Sequence, residues 1–176
     1  MHPLTDGVTM LPEIKKILYA TDLSKTAEVA MSWAMSLAEQ CDAAITIIHV
    51  MPDLVEEMSG SMGYDLGSHF GADQLALFNK EGRSKAMDSV RERIKSVSAK
   101  MKDELPSCRV DLNHIIIKAG HPVREIVAAT SGGEYDLIVM GKHGHGLIDG
   151  ILLGSVARGV VQKSTIPVLT IKLPAE

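Results

Sequence analysis

Apolar residues fall along this chain in two alternating rhythms. Five short runs are almost continuously apolar: Lys16 to Thr21, Ala43 to Met51, Val110 to Lys118, Tyr135 to Met140 and Ile166 to Leu173. They have strand length, several are rich in β-branched residues, and they lack clean polar alternation. That pattern belongs to strands covered on both faces of a sheet. Between them the spacing becomes helical. Ala27, Ala30, Met31, Ala34, Leu37 and Ala38 form one stripe over residues 25–39, with Asp22 and Ser24 placed before it as caps. Ala86, Val90, Ile94, Val97 and Met101 recur every three or four positions, and Pro106 should end that helix. Pro122 suits the first turn of a short helix to about Thr130, stopped by Gly132-Gly133. A last helix should begin at Val156, capped by Ser155, and run to about Lys163.

Strands that alternate with helices predict a parallel sheet with helices on both faces and right-handed crossovers. The expected fold class is α/β, a single doubly wound domain over residues 14–176 behind a short tail, 1–13. Residues 52–72 break the plan. They carry Gly60, Gly63, Gly67 and Gly71 among serines and methionines, and read as a flexible insertion after the second strand. Loops of that length are lids or tolerated insertions, and a tolerated insertion is the simpler reading.

Composition narrows the function classes. The chain has 176 residues, about one domain. Lys and Arg total 18 against 22 Asp and Glu, a formal charge of −4. An acidic chain argues against a dedicated nucleic-acid binder, which needs excess cations to neutralise phosphates. Two Phe, one Trp and three Tyr are too few for a base-stacking platform. Cys41 and Cys108 form no CxxC pair, which excludes a dithiol redox motif or a cysteine-rich zinc site. The first residues lack a basic stretch followed by an apolar one, so they do not read as a secretory signal. The longest apolar runs, about five residues, fall far short of the ~20 that span a bilayer. The expectation is a cytoplasmic protein with no membrane contact.

In open α/β sheets ligands sit beyond the carboxyl ends of the strands, where the strand order reverses. Three strand exits are chemically distinctive. The first strand ends in Ala20-Thr21-Asp22, the second in His49-Val50-Met51. The fourth runs through Met140 into Gly141-Lys142-His143-Gly144-His145-Gly146, with Gly150, Gly154 and Ser155 following. Glycines permit positive φ and close approach of backbone to a ligand. The helix start at Ser155 adds free N–H groups and partial positive charge, an anion site. Together they read as a phosphate cradle. The pattern is not a Walker A loop, which needs Gly-Lys-Ser/Thr at its end, because Lys142 precedes Gly144 and the later glycines and no Lys stands between Gly154 and Ser155. Nor does a Gly-x-Gly-x-x-Gly follow the first strand. No carboxylate is evidently placed to activate water, although Asp149 lies in the loop, so binding is better supported than efficient hydrolysis.

Gly141, Gly144, Gly154 and Ser155 match the spacing Gly-x2-Gly-x9-Gly-Ser/Thr, and in this the chain resembles the universal stress protein family, in its ATP-binding subgroup. The flanks agree: Tyr135 to Gly141 before, Leu152 to Ala157 within and Ser164 to Ile171 after, with Lys16 to Ser24 and Ile47 to Val50 similar to the opening strands. The resemblance covers about residues 14 to 173. It implies strand order 3-2-1-4-5, with ATP, or ADP or AMP, lying across the exits of strands 1, 2 and 4. Ala20 would border the nucleoside through its backbone. Asp22 would lie by the ribose or adenine, Val50 would meet adenine through its main chain, and Gly141 would border the ribose. Gly144, His145, Gly154, Ser155 and Val156 would surround the phosphates. Thr21, Met140, His143 and Gly146 complete the expected nucleotide-binding set. Mg2+ would be held through the phosphates. The implied role is a nucleotide-dependent stress-response or signalling module, with an unidentified signalling partner. A slow Mg-dependent ATPase and a nucleotide-free interaction module are the alternatives.

Individual residues have blander readings. Asp22 can serve only as a helix cap. His143 and His145 invite a metal, but no third ligand is evident. His49 reads as a satisfied core or rim histidine. The strand at Val168–Leu173 follows Pro167 and should lie at a sheet edge, where natural proteins cover or pair exposed backbone groups. The economical solution is a homodimer pairing this strand with its copy, and the resemblance points the same way.

Overall fold

In the computed structural model the described residues are 12–51, 72–104, 109–144 and 152–173. Residues 1–11 of the expected tail at 1–13, residues 52–71 of the expected insertion at 52–72 and the expected stop at Pro106 lie outside them, while residue 72 of that insertion opens a helix. Among the described residues the order is β1 (Lys16–Thr21), α1 (Lys25–Cys41), β2 (Ala44–Met51), α2 (Ala72–Glu104), β3 (Arg109–Ala119), α3 (Pro122–Thr130), β4 (Leu137–Gly141), α4 (Ser155–Lys163) and β5 (Val168–Ile171). The strands form one parallel sheet in the order β3-β2-β1-β4-β5, a doubly wound α/β fold. The chain thus places β1 and β4 side by side at the centre, where the direction of winding reverses.

The two-residue period of the strands sorts the core into two layers. Ile17 and Tyr19, Ile45 and Ile47, and Leu137 and Val139 face one side, against Ala30, Met31, Ala34 and Met35 of α1 and Ile94 of α2. Leu18 and Ala20, Ile48, and Ile138 and Met140 face the other, against Val123 and Ile126 of α3 and Ala157 and Val160 of α4. Because both faces are covered, the central strands need apolar residues at every position, which is why their sequences show no alternation.

Local signals set the helix ends. Ser24 caps α1, its hydroxyl accepting the Ala27 N–H at 3.2 Å. Pro122 opens α3. Gly133, at φ 70°, supplies the left-handed turn before β4. Helix α2 starts at Ala72, well before the apolar stripe that begins at Ala86. β5 ends at Ile171, two residues before the expected limit at Leu173, since its last bond to β4 is the Ile171 carbonyl accepting the Lys142 N–H. No helix among the described residues is long and apolar enough to cross a membrane.

Candidate functional site

The exit of β1 turns sharply at Asp22-Leu23. The Thr21 hydroxyl accepts the Leu23 N–H at 3.0 Å, and Asp22 Oδ1 accepts the Ser24 N–H at 3.0 Å. These bonds hold Leu23 in the left-handed region, φ 66°, an uncommon conformation for a bulky side chain. Asp22 therefore braces the approach to α1 while Ser24 caps it. Beside the turn, His49 is buried on β2 with Nδ1 2.7 Å from the Thr21 carbonyl, the satisfied histidine expected. Tyr19 donates its buried hydroxyl to the Ala27 carbonyl at 2.6 Å. Burial, reinforced by the negative charges of Asp22 and Glu28, pushes this phenol far above its ordinary pKa, so it stays neutral.

The segment after β4 is closed by two backbone bonds on one residue. The Lys142 N–H donates to the Ile171 carbonyl at 2.6 Å, and the Lys142 carbonyl accepts the Gly154 N–H at 3.0 Å. The two ends of the nine-residue interval between Gly144 and Gly154 are thus held together at Lys142. The expected cap at Ser155 is corrected here. Gly154 is the cap, because its carbonyl accepts the first helical bond from the Arg158 N–H at 2.9 Å, and Ser155 is already helical. The reason for the glycines is corrected as well. Gly141, Gly144 and Gly154 do not have positive φ; what they share is close contact. A Cβ on Gly144 would lie 2.5 Å from Asp22 Oδ2, and one on Gly154 would lie 3.1 Å from the Lys142 carbonyl oxygen. The spacing of the motif therefore lets the β4 loop settle on the β1 turn and on itself.

Between these two turns and α3 opens a cleft of about 540 Å³. That lies within the ~300–1,000 Å³ of small-molecule sites. Of the residues expected to bind a nucleotide, Ala20, Thr21, Asp22, Val50, Met140, Gly141, His143, Gly144, Gly154, Ser155 and Val156 line it. His145 and Gly146 lie outside the described residues. The cleft also takes in Ile48, Pro122, Ile126, Lys142 and Ala157, which sequence reasoning missed. Ile48 and Lys142 were within reach of the strand period, each two positions from an expected lining residue. Pro122 and Ile126 come from α3, and nothing local in their sequence marks them as lining. The walls are apolar at Ala20, Ile48, Val50, Ile126 and Met140. The polar lining comes from Thr21 and Asp22 at the β1 exit and from Lys142, His143 and Ser155 between β4 and α4. The first N–H groups of α4 lack helical acceptors and add partial positive charge there. Among the described residues no three His, Cys, Asp or Glu side chains group as metal ligands.

The model of the Universal stress protein family matches residues 13–172. The chain is 30% identical over 165 residues to Universal stress protein MJ0577 of Methanocaldococcus jannaschii, covering 90% of this chain and 94% of that one. A solved structure of hypothetical protein MJ0577 superposes with a TM-score of 0.72 at 28% identity, over 93% of this chain and 99% of that one. Universal stress protein UspA from Lactobacillus plantarum has the same fold, with a TM-score of 0.63 at 24% identity, over 90% and 98% of the two chains. So does a universal stress protein solved in complex with cAMP, with a TM-score of 0.55 at 20% identity, over 90% and 97%. The chain belongs to the universal stress protein family.

Proposed function

We propose that this universal stress protein binds an adenine nucleotide, ATP or its ADP and AMP relatives, in the cleft above β1 and β4. The observation that supports this reading is that one cleft takes in apolar side chains from β1, β2, β4 and α3 together with Lys142 and the first residues of α4. A flat base fits between apolar side chains such as Ile48, Val50, Ile126 and Met140. The Asp22 carboxylate, with lone pairs beyond the one bonded to Ser24, can accept from ribose hydroxyls. Phosphates would sit beside Gly144 and Gly154, against the N–H groups of Ser155 and Val156. When bound, the nucleotide would supply the phosphate oxygens that hold Mg2+.

The role we assign is that of a cytoplasmic binding module, in which nucleotide occupancy sets conformation or partner choice, rather than an efficient enzyme. Asp22 is the only acid among the described cleft residues, and its bond to the Ser24 N–H commits it to the turn. We further propose that two copies pair through the outer edge of β5, the outermost strand next to β4 among the described residues.

The test is to release bound ligand from purified protein by heat and identify it by mass, then titrate the ligand-free protein with ATP by calorimetry. Gly154→Val should abolish binding, because even a Cβ there lies 3.1 Å from the Lys142 carbonyl oxygen. Unchanged affinity in a folded Gly154→Val variant would remove the phosphate assignment.

A further inference from the structure

We infer that Lys142 makes this cleft select for the charge of the phosphate chain, favouring nucleoside di- and triphosphates over the monophosphate. The inference rests on the nucleotide reading above and specifies which ligand class that site prefers.

Lys142 follows Met140 by two positions, and both line the cleft. Its backbone is clamped on both sides, the N–H to β5 and the carbonyl to the residue that caps α4. The Cα is therefore fixed between the edge of the sheet and the start of α4, where Ser155 and Val156 also line the cleft. Lys142 is partly buried, and among the described residues it forms no ion pair. Asp22 lies against Gly144, at the β1 side of the loop. The cleft thus takes in an acid from the β1 turn and a lysine whose backbone is tied to β5 and α4. A nucleotide in it is oriented, with sugar hydroxyls toward Asp22 and phosphates toward Lys142.

Charge separates the roles of the two phosphate-binding elements. Backbone amides and a helix terminus present dipoles equivalent to about half a charge, enough to hold one phosphate group. Each further phosphate adds negative charge that those dipoles do not neutralise. A full cation on a flexible stem does, and lysine's three donors can follow a chain of phosphates without demanding one geometry. Lys142 therefore contributes little to a monophosphate held at the loop and much to a longer chain.

The experiment is calorimetric titration of AMP, ADP and ATP into ligand-free wild type, Lys142→Met, Lys142→Arg and Arg158→Met. Arg158 is an exposed cation on α4 that does not line the cleft, and it controls for general electrostatics. A charge-assisted hydrogen bond is worth enough that Lys142→Met should lower the ATP-to-AMP affinity ratio about tenfold. Lys142→Arg should restore most of the ratio, and Arg158→Met should leave it within about twofold, since exposed charges are well screened. A ratio unchanged in Lys142→Met, with all three nucleotides bound by the wild type, overturns the assignment of Lys142 alone. An equal fall for AMP and ATP does the same, because it makes Lys142 a general binding or structural residue. A wild type that binds none of the three overturns the nucleotide reading with it. Unchanged melting temperatures across the four proteins show that each readout comes from folded protein.

Discussion

Replacing Gly144 with alanine tests whether the β4 loop rests on Asp22. The added Cβ would lie 2.5 Å from Asp22 Oδ2 and 3.7 Å from its Cγ. Carbon and oxygen do not approach closer than about 3.3 Å without strain, so the carboxylate or the loop must retreat by roughly 0.8 Å. The other oxygen of that carboxylate accepts the Ser24 N–H at 3.0 Å, and a retreat of that size takes the pair past hydrogen-bond range. Asp22 is solvent-exposed, so the bond lost is comparable to an ordinary cap, about 1 kcal/mol. In a chain of this size that lowers the melting temperature by roughly 2–4 °C. The assay is a double-mutant cycle: urea and thermal unfolding of wild type, Gly144→Ala, Asp22→Ala and the double variant, all without nucleotide. With the carboxylate gone, the alanine at 144 meets no obstacle, and the two changes should couple by about 1 kcal/mol. Additivity to within about 0.3–0.5 kcal/mol would refute the contact, since residues that touch do not add. The single Asp22→Ala protein answers a second question. If it weakens ATP binding more than the lost turn bond explains, Asp22 contacts the nucleoside; equal affinity with a lowered melting point leaves it a brace for the turn.

Two other predictions concern the core and the edge. Tyr19→Phe removes a buried hydroxyl bonded to the Ala27 carbonyl and should cost about 1 kcal/mol. It should also flatten the alkaline limb of the stability curve. The folded phenol ionises above its ordinary value of 10.0, so its contribution is present below that pH and is lost as pH rises beyond it; an unchanged limb in the variant would assign the alkaline loss to other groups. At the edge, the Pro167 and Ile171 carbonyls accept from Ile138 and Lys142 of the β4 side, so by alternation Thr170 turns its N–H outward. Thr170→Pro should therefore convert a dimer into a monomer in light scattering while the fold survives; a monomeric wild type, or a dimer unaffected by the proline, rules out pairing through β5.

The strands were legible because burial on both faces leaves no room for polar alternation, and Ile17-Leu18-Tyr19-Ala20 and Leu137-Ile138-Val139-Met140 show it plainly. The crevice was legible for a related reason. Once strand order is fixed, Ala20, Val50 and Met140 must arrive at neighbouring exits. What escaped the sequence depends on contacts between distant residues. Ser155 looks like the cap by residue type, yet Gly154 takes that place because its N–H is drawn to the Lys142 carbonyl twelve positions back. The glycines suggested unusual backbone angles; their real constraint, the proximity of Asp22 and Lys142, exists only in the folded chain. Lys142 does not fit a Walker loop, since His143 rather than Ser or Thr follows it, yet the strand period places it in the cleft. Pro122 and Ile126 become lining residues only when α3 packs over β2 and β1.

The turn at Asp22-Leu23 joins two compartments that the sheet otherwise separates. Asp22 lines the cleft, and the next side chain, Leu23, points into the opposite layer. There it meets Tyr19, Met31 and the α2 residues Ile94 and Val97 around a void of about 20 Å³, room for about one water. A left-handed leucine holds roughly 1–3 kcal/mol of conformational strain, kept in place by the bonds to Thr21 and Asp22. The turn therefore sets one side chain on each side of the sheet. A substitution that fills or enlarges the void at Ile94 or Val97 acts on the same turn that presents Asp22 to the cleft.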